Sequence, residues 1–295
     1  MRAGRVTMEL TLSGMSELMI REKPVDLYLE LIKKTLMYGL WPEPPFPIAG
    51  LGHNRPFLIR QAIQLVSRGL GSMRLELARQ RPSARRQWDG GGFWPTYAHT
   101  MIGAQRLDNL QYCVETVLRE GIAGDLAETG VWRGGACILM RAVLAAHRIE
   151  ERKVFVIDSF QGLPPPEPDR YPADRGATAH RAQFLAVSQA EVEDNFRNYG
   201  LLDEQVVFLP GWFKDTLPTA PIQQLAVLRL DGDLYSSTSE VLTNLYARLS
   251  PGGFCIIDDY DLPGCRRAVD DFRAQNKIPG DLQLVDSAAR FWRAV

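Results

Sequence analysis

Residues 225–242 read LAVLRLDGDLYSSTSEVL, and residues 252–261 read GGFCIIDDYD. Each stretch begins as an apolar run with β-branched residues and ends abruptly in a pair of acids. The four acids are Asp231, Asp233, Asp258 and Asp259. Apolar runs of this length are typical of strands in a parallel sheet that is covered on both faces. Because ligands of such sheets bind beyond the carboxyl ends of the strands, the pattern predicts a ligand site at these acids.

Four carboxylates gathered at adjacent strand ends would repel one another strongly. A divalent cation among them would relieve that repulsion, and Mg²⁺ prefers hard oxygen ligands of this kind. Turn chemistry would explain Asp231 and Asp233 taken alone, because Asp and Gly are common turn residues. Capping of the following segment would explain Asp258 and Asp259. The presence of both pairs at neighbouring strand ends favours a metal site that serves chemistry on a bound substrate.

From about residue 96, strand-like and helix-like segments alternate, which predicts a doubly wound parallel sheet. Two short strands near residues 282–286 and 290–294 would close this sheet with an antiparallel hairpin. The expected parallel strands contain the runs DLAET, KVFVID, QVVFLP, LAVLRLD and GGFCIID.

The N-terminal part of the chain has a different pattern. Apolar spacing predicts amphipathic helices over residues 25–38 and 57–80, and a loop rich in Pro and Gly separates them. The run DGGGFWP is the expected boundary between two regions. Residues 1–95 would form a helical lid that recognises the acceptor and offers oligomer contacts, and residues 96–295 would form the catalytic domain.

The composition excludes several classes of partner. The chain has 295 residues and a formal net charge of −1, which argues against binding to nucleic acid. Its four cysteines form no CxxC pair, as is typical of reduced cytoplasmic proteins. The first twenty residues carry charges, and no apolar run approaches the roughly 18 residues of a membrane span. We therefore expect a cytoplasmic protein with no membrane or nucleic-acid partner.

The ends of the first three predicted strands suggest how a cofactor is bound. The first strand opens into ETGVWRGG, whose glycines let the backbone approach a ligand, and Glu128 suits a cationic ligand better than a pyrophosphate. Asp158 ends the second strand, where an acid commonly binds the two hydroxyls of a ribose; its alternative role is to cap the turn. Trp212 and Phe213 follow the third strand and would either stack on an adenine or belong to the core.

Six motifs together resemble the macrocin O-methyltransferase family of class I S-adenosylmethionine-dependent enzymes. The motifs are AHTMIGAQRLDNLQ, LAETGVWRGGACI, VIDSFQGLP, GWFKDTLP, LRLDGDLYSST and IIDDY. The resemblance is dense over residues 97–295 and weaker over residues 25–38. It implies a Rossmann-like, seven-stranded class I methyltransferase sheet. Members of this family methylate sugar hydroxyls on macrolides, aminocoumarins and related natural products.

The resemblance also implies roles for particular residues. The expected Mg²⁺ ligands are Asp231, Asp258 and Asp259, and Asp233 matches the proposed general base. Glu128, Gly130, Asp158 and Ser159 match positions around adenosylmethionine. From their places beside the strands, the further expected contacts to this cofactor are Thr129, Trp212, and Thr100 and Arg106 in a segment before the first strand that would close over the methionine end. Apart from the resemblance, the expected acceptor contacts are Tyr97, His99 and His53; His53 lies in the loop rich in Pro and Gly, which would either cover a ligand or be a plain surface connection.

These roles predict methyl transfer to a hydroxyl of a (deoxy)sugar on a natural product, with Mg²⁺ chelating two neighbouring acceptor hydroxyls and Asp233 taking the proton. The acceptor would be a glycosylated natural product or an activated sugar, and the enzyme a homo-oligomer. An O-methyltransferase that acts on a catechol-like phenol is the main alternative, because the same acids serve both acceptors. The missing G-x-G-x-x-G disfavours an NAD-dependent oxidoreductase, and the four intact acids disfavour a catalytically silent binding module.

Overall fold

A computed structural model describes residues 24–42, 46–47, 57–73, 75, 78–79 and 97–295. Helix α1 spans residues 24–36, and helix α2 spans Phe57–Ser72. The predicted helix over residues 57–80 is therefore too long, since Ala78–Arg79 pairs with Phe46–Pro47 as a two-residue antiparallel ladder. Gly69 and Gly71 occupy the last turn of α2, where glycine lowers helix propensity.

Seven strands form one sheet with the order β3-β2-β1-β4-β5-β7-β6. The strands are β1 Asp125–Thr129, β2 Val154–Asp158, β3 Val206–Pro210, β4 Leu225–Leu230, β5 Leu249–Ile257, β6 Gln283–Leu284 and β7 Arg290–Arg293. Strands β1 to β5 pair in parallel, whereas β7 runs antiparallel to both β5 and β6. The predicted doubly wound sheet with its C-terminal antiparallel hairpin is confirmed.

Helices cover both faces of this sheet. They are α3 Ala104–Arg119, α4 Gly135–Ala146, α5 Gln189–Asn198, α6 Tyr235–Leu245 and α7 Pro263–Gln275. Alternate strand residues enter two separate cores: Val154 and Val156 of β2 pack with α1, α3, α4 and α5, and Phe155 and Ile157 pack with α6 and α7. This arrangement explains why the strands are continuous apolar runs, because both faces of a parallel sheet are buried.

Helix α1 packs in the same core as one face of the seven-stranded sheet. Its Leu29 and Leu36 are fully buried, and the carbonyl of Leu36 accepts a hydrogen bond from the backbone N–H of His99 at 2.8 Å. The predicted boundary run DGGGFWP lies outside the described residues, so the division at residue 95 stays a prediction, as do the expected oligomer contacts. Among the described residues, no helix combines the length and apolarity needed to cross a bilayer.

The parallel strands end at one edge of the sheet, and backbone hydrogen bonds align their ends. The N–H of Gly130 donates to β2, that of Asp231 to Thr129, and that of Asp258 to Leu230, with N–O distances of 2.9 Å. The ends of β1, β4 and β5 are thus held in register. This edge therefore gathers acids that are far apart in sequence.

Candidate active site

A glycine lets two strand ends approach each other closely. Gly130 has φ +83°, and a Cβ added to it would lie 1.7 Å from the carbonyl oxygen of Asp231. The turn after β1 therefore requires glycine for both its left-handed backbone and its contact with the end of β4. The sequence predicted that glycines of this turn let the backbone approach a ligand, whereas the close contact of Gly130 is with the end of β4.

Asp158 connects the turns that follow β1 and β2. Its Oδ2 accepts the N–H of Val131 at 2.7 Å, and its Oδ1 accepts the N–H of Phe160 at 2.8 Å. Burial raises the pKa of Asp158, and these backbone hydrogen bonds oppose that rise. The turn-capping role that the sequence allowed is thus present, and the same carboxyl group also lines the pocket described next.

A pocket opens at the carboxyl edge of the sheet. Six of the predicted cofactor, metal and catalytic residues line it: Gly130, Asp158, Ser159, Trp212, Asp231 and Asp233. Trp132, Trp212 and Phe213 also line this space, so the pocket combines aromatic residues with acidic ones.

Three of the four acids lie together beside the pocket. Carboxylate oxygens of Asp231, Asp258 and Asp259 all lie within 4.8 Å of one another. The fourth acid is held against this group because the backbone N–H of Asp233 donates to Asp259 at 3.1 Å. Asp233 adopts a left-handed backbone with φ +58°, which Asp tolerates better than most residues. The expected gathering of the four acids is therefore present.

The acids perturb one another's ionisation. Burial, followed by the charge of Asp258, raises the pKa of Asp231 to about 8 and that of Asp233 to about 6. Burial and the neighbouring carboxylates also hold the pKa of Asp259 well above its ordinary value. Such a cluster favours a cation, because a nearby positive charge stabilises the ionised carboxylates.

Arg229 lies directly under this cluster, and the sequence analysis missed it. It is the one charged residue in the apolar run LAVLRL, and that exception is the signal that could have found it. Its guanidinium is only 2% exposed and donates to Glu128, Asp258 and, at 2.9 Å, Asp231. Arg229 and its three carboxylate partners therefore form a buried ion-pair network.

Four predicted cofactor residues lie outside the lining of the pocket. Glu128 is buried and binds Arg229 and the thiol of Cys137. Arg106 donates to Asp258 at 2.6 Å and to Asp286 at 2.7 Å. Thr129 is buried in β1, and Thr100 is buried against Gly135 at the start of α4. Contacts of these four residues with a cofactor stay predictions.

One wall of the pocket comes from the covering segment, residues 163–185. It contributes Leu163, Pro164, Pro165, Glu167, Tyr171 and Leu185. Its ends are tied down, because Glu167 pairs with Lys214 at 3.3 Å and the carbonyl of Phe184 accepts from the indole N–H of Trp132 at 2.9 Å. The residues of this segment do not by themselves specify these distant partners.

The expected acceptor contacts lie outside the pocket lining or outside the described residues. His53 is not among the described residues. Tyr97 is 44% exposed, and its ring centre lies 5.7 Å from that of Tyr38. His99 hydrogen-bonds through Nδ1 to the hydroxyl of Tyr199 at 3.0 Å, and burial lowers its pKa. Their roles in acceptor binding stay predictions.

A family profile, curated proteins and a solved structure all match most of this chain. The sequence profile of the macrocin O-methyltransferase family (TylF) matches residues 25–294, so the similarity includes α1 and α2 as well as the catalytic sheet. Mycinamicin III 3''-O-methyltransferase of Micromonospora griseorubida is 46% identical over 272 residues, which cover 91% of this chain and 96% of that protein.

A second relative is 8-demethyl-8-(2,3-dimethoxy-alpha-L-rhamnosyl)-tetracenomycin-C 4'-O-methyltransferase of Streptomyces olivaceus. It is 57% identical over 204 residues, which cover 69% of this chain and 78% of that protein. The solved structure of the O-methyltransferase NovP superposes with a TM-score of 0.77 at 46% identity and covers 92% of this chain and 99% of that one.

Proposed function

This chain belongs to the macrocin O-methyltransferase family, and we propose that it transfers the methyl group of S-adenosylmethionine to a hydroxyl of a (deoxy)sugar on a natural product. The observation that carries this proposal is the meeting of Asp231, Asp233, Asp258 and Asp259 at one edge of the sheet, beside a pocket that also contains Asp158. The relative named for a rhamnosyl-tetracenomycin supports a sugar acceptor. The acceptor is a glycosylated natural product or an activated sugar.

The residues that line the pocket fit the chemistry of adenosylmethionine. When bound, this cofactor supplies an electrophilic methyl group on a sulfonium. Asp158 lies at the end of β2, where its carboxylate would accept hydrogen bonds from ribose hydroxyls. Gly130 keeps the turn after β1 free of a side chain, and Trp212 presents an aromatic surface to an adenine.

The acidic cluster fits Mg²⁺ by the chemistry of its donors. Asp231, Asp258 and Asp259 offer three carboxylate oxygens within 4.8 Å of one another, and Mg²⁺ prefers such oxygen ligands. When bound, Mg²⁺ would supply a Lewis acid that lowers the pKa of a neighbouring acceptor hydroxyl. The three carboxylates would hold the ion and thereby fix two neighbouring hydroxyls of the acceptor beside the pocket.

Asp233 is the proposed general base. Burial, followed by the charge of Asp258, raises its pKa to about 6 in the absence of metal, so Asp233 is mostly ionised at pH 7 and can accept a proton. The hydrogen bond from its backbone to Asp259 fixes it next to the metal ligands. Asp233 would accept the hydroxyl proton as the new O–C bond forms and the S–C bond breaks, leaving S-adenosylhomocysteine.

An acceptor screen tests this function. The purified chain is incubated with methyl-labelled adenosylmethionine, with Mg²⁺ or with EDTA, and with three acceptor sets: deoxysugar glycosides, nucleotide-activated deoxysugars and catechols. We expect label in one of the two sugar sets and only in the presence of Mg²⁺. Methylation of catechols alone would replace the sugar proposal with the phenol alternative. Full activity after removal of all divalent metal would overturn the role assigned to the acidic cluster.

A further inference from the structure

Arg229 is the centre of an ion-pair network that connects three strands. Its Nη1 binds Glu128 of β1 and Asp231 after β4, and its Nη2 binds Asp258 after β5. The second oxygen of Asp258 is bound by Arg106 of α3, which also binds Asp286. Two arginines thus orient both oxygens of Asp258.

A buried cation at this position requires an explanation. The proposed site binds a metal ion and a sulfonium, and both carry positive charge, which a neighbouring guanidinium opposes. An apolar side chain would also suit the buried strand and would avoid the cost of burying an ion. The guanidinium orients Asp231 and Asp258, which follow two different strands. An apolar side chain could not do this.

We propose that Arg229 is a positioning residue that assembles the acidic cluster before the metal binds. Its planar fork fixes one oxygen each of Asp231 and Asp258 at a set separation. The other oxygen of Asp231 then remains for a cation, and the oxygens of Asp258 keep lone pairs beyond those that accept the arginine N–H groups, so they could bind the same ion. The proposal rests on the metal site of the proposed function.

The fork of Arg229, and not only its charge, is needed. A lysine at the same position keeps the positive charge but presents a single ammonium, which cannot bridge carboxylates on two strands in the same geometry. Loss of a group that orients metal ligands typically weakens metal affinity by about 10- to 100-fold. The variant R229K therefore separates orientation from charge.

The test measures metal affinity directly. Mn²⁺ is used as the probe for the Mg²⁺ site, with calorimetry and electron paramagnetic resonance on the full chain, and melting temperature is recorded separately. We expect R229K to weaken Mn²⁺ binding by at least about tenfold. The control is R141K, because Arg141 is also buried and makes a two-point contact with Asp203, a residue outside the pocket lining. It should change stability without changing Mn²⁺ affinity.

The outcomes separate this proposal from the function it rests on. Absence of Mn²⁺ and Mg²⁺ binding in the wild-type chain would remove the metal site itself. Wild-type affinity in R229K would show that the fork does not orient the ligands and would overturn the proposal. If R229K does not fold, R106K provides the same test through Asp258, since Arg106 holds the other oxygen of that carboxylate; unchanged Mn²⁺ affinity in R106K would then count against the network.

Discussion

The carboxylate of Asp174 caps helix α6 by accepting the backbone N–H of Ser236 at 3.0 Å, although 62 positions separate the two residues. Its other oxygen accepts the N–H of Tyr235 at 2.7 Å. Helix α6 has no capping side chain at its own N-cap residue, Leu234, so a residue of the covering segment satisfies these donors. The wall of the pocket is thereby attached to the turn that carries Asp233.

Replacement of Asp174 by alanine should loosen this attachment. We expect faster hydrogen exchange at the amides of Tyr235 and Ser236, a loss of roughly 1 kcal/mol of stability, and a raised KM for the acceptor. The matched control is Ser188→Ala, because Ser188 caps helix α5 by accepting the N–H of Glu191 at 3.2 Å. This control should lose similar stability with an unchanged KM. An unchanged KM in Asp174→Ala would limit Asp174 to a structural role.

Replacement of Asp233 by asparagine should lower kcat by about 10²–10⁴-fold, because the amide cannot accept the hydroxyl proton. Binding of adenosylmethionine, measured by calorimetry, should be unchanged. Asp203→Asn provides the control, since Asp203 pairs with Arg141 and lies outside the pocket lining. Wild-type turnover in Asp233→Asn would remove Asp233 from the base role.

Metal affinity should rise with pH. Burial and neighbouring charges raise the pKa of Asp231 to about 8 and that of Asp233 to about 6, so both carboxyl groups hold protons well above pH 4 in the absence of metal. A metal must displace the proton of Asp231 below pH 8, because only the ionised carboxylate is a ligand. Calorimetry in buffers of different ionisation enthalpy should show tighter binding and less proton release at pH 8.5 than at pH 6.5. An affinity that does not change over this range would contradict the raised pKa of Asp231.

Replacement of Gly130 by alanine should abolish binding of adenosylhomocysteine. The added Cβ would lie 1.7 Å from the carbonyl oxygen of Asp231, and separation of the ends of β1 and β4 would deform the pocket. Gly200 is a suitable control because it also has positive φ, at +67°, but a Cβ added to it would meet nothing within 4 Å. Gly200→Ala should cost roughly 1 kcal/mol of backbone strain and retain binding. Calorimetry on both folded variants distinguishes the steric effect from the strain.

The sequence could predict the sheet and the gathering of its acids for a local reason. Each buried strand is a continuous apolar run, and parallel strands end at one edge, so Asp158, Asp231 and Asp258 had to lie on the same side of the molecule. The dense motifs over residues 97–295 likewise indicated the family. The end of α2 was misjudged, because an apolar spacing continued past Ser72 while its two glycines weakened the helix.

Only the tertiary structure decided how the acids are held. Arg229 meets Glu128 across 101 positions of the chain, and Asp174 meets Ser236 across 62. The pairing of buried donors and acceptors depends on the register of neighbouring strands and on the path of the covering segment. The residues next to each donor or acceptor do not specify that register or that path. Apolar periodicity is a local property that the sequence displays directly, whereas the satisfaction of buried charges is a property of the packed chain.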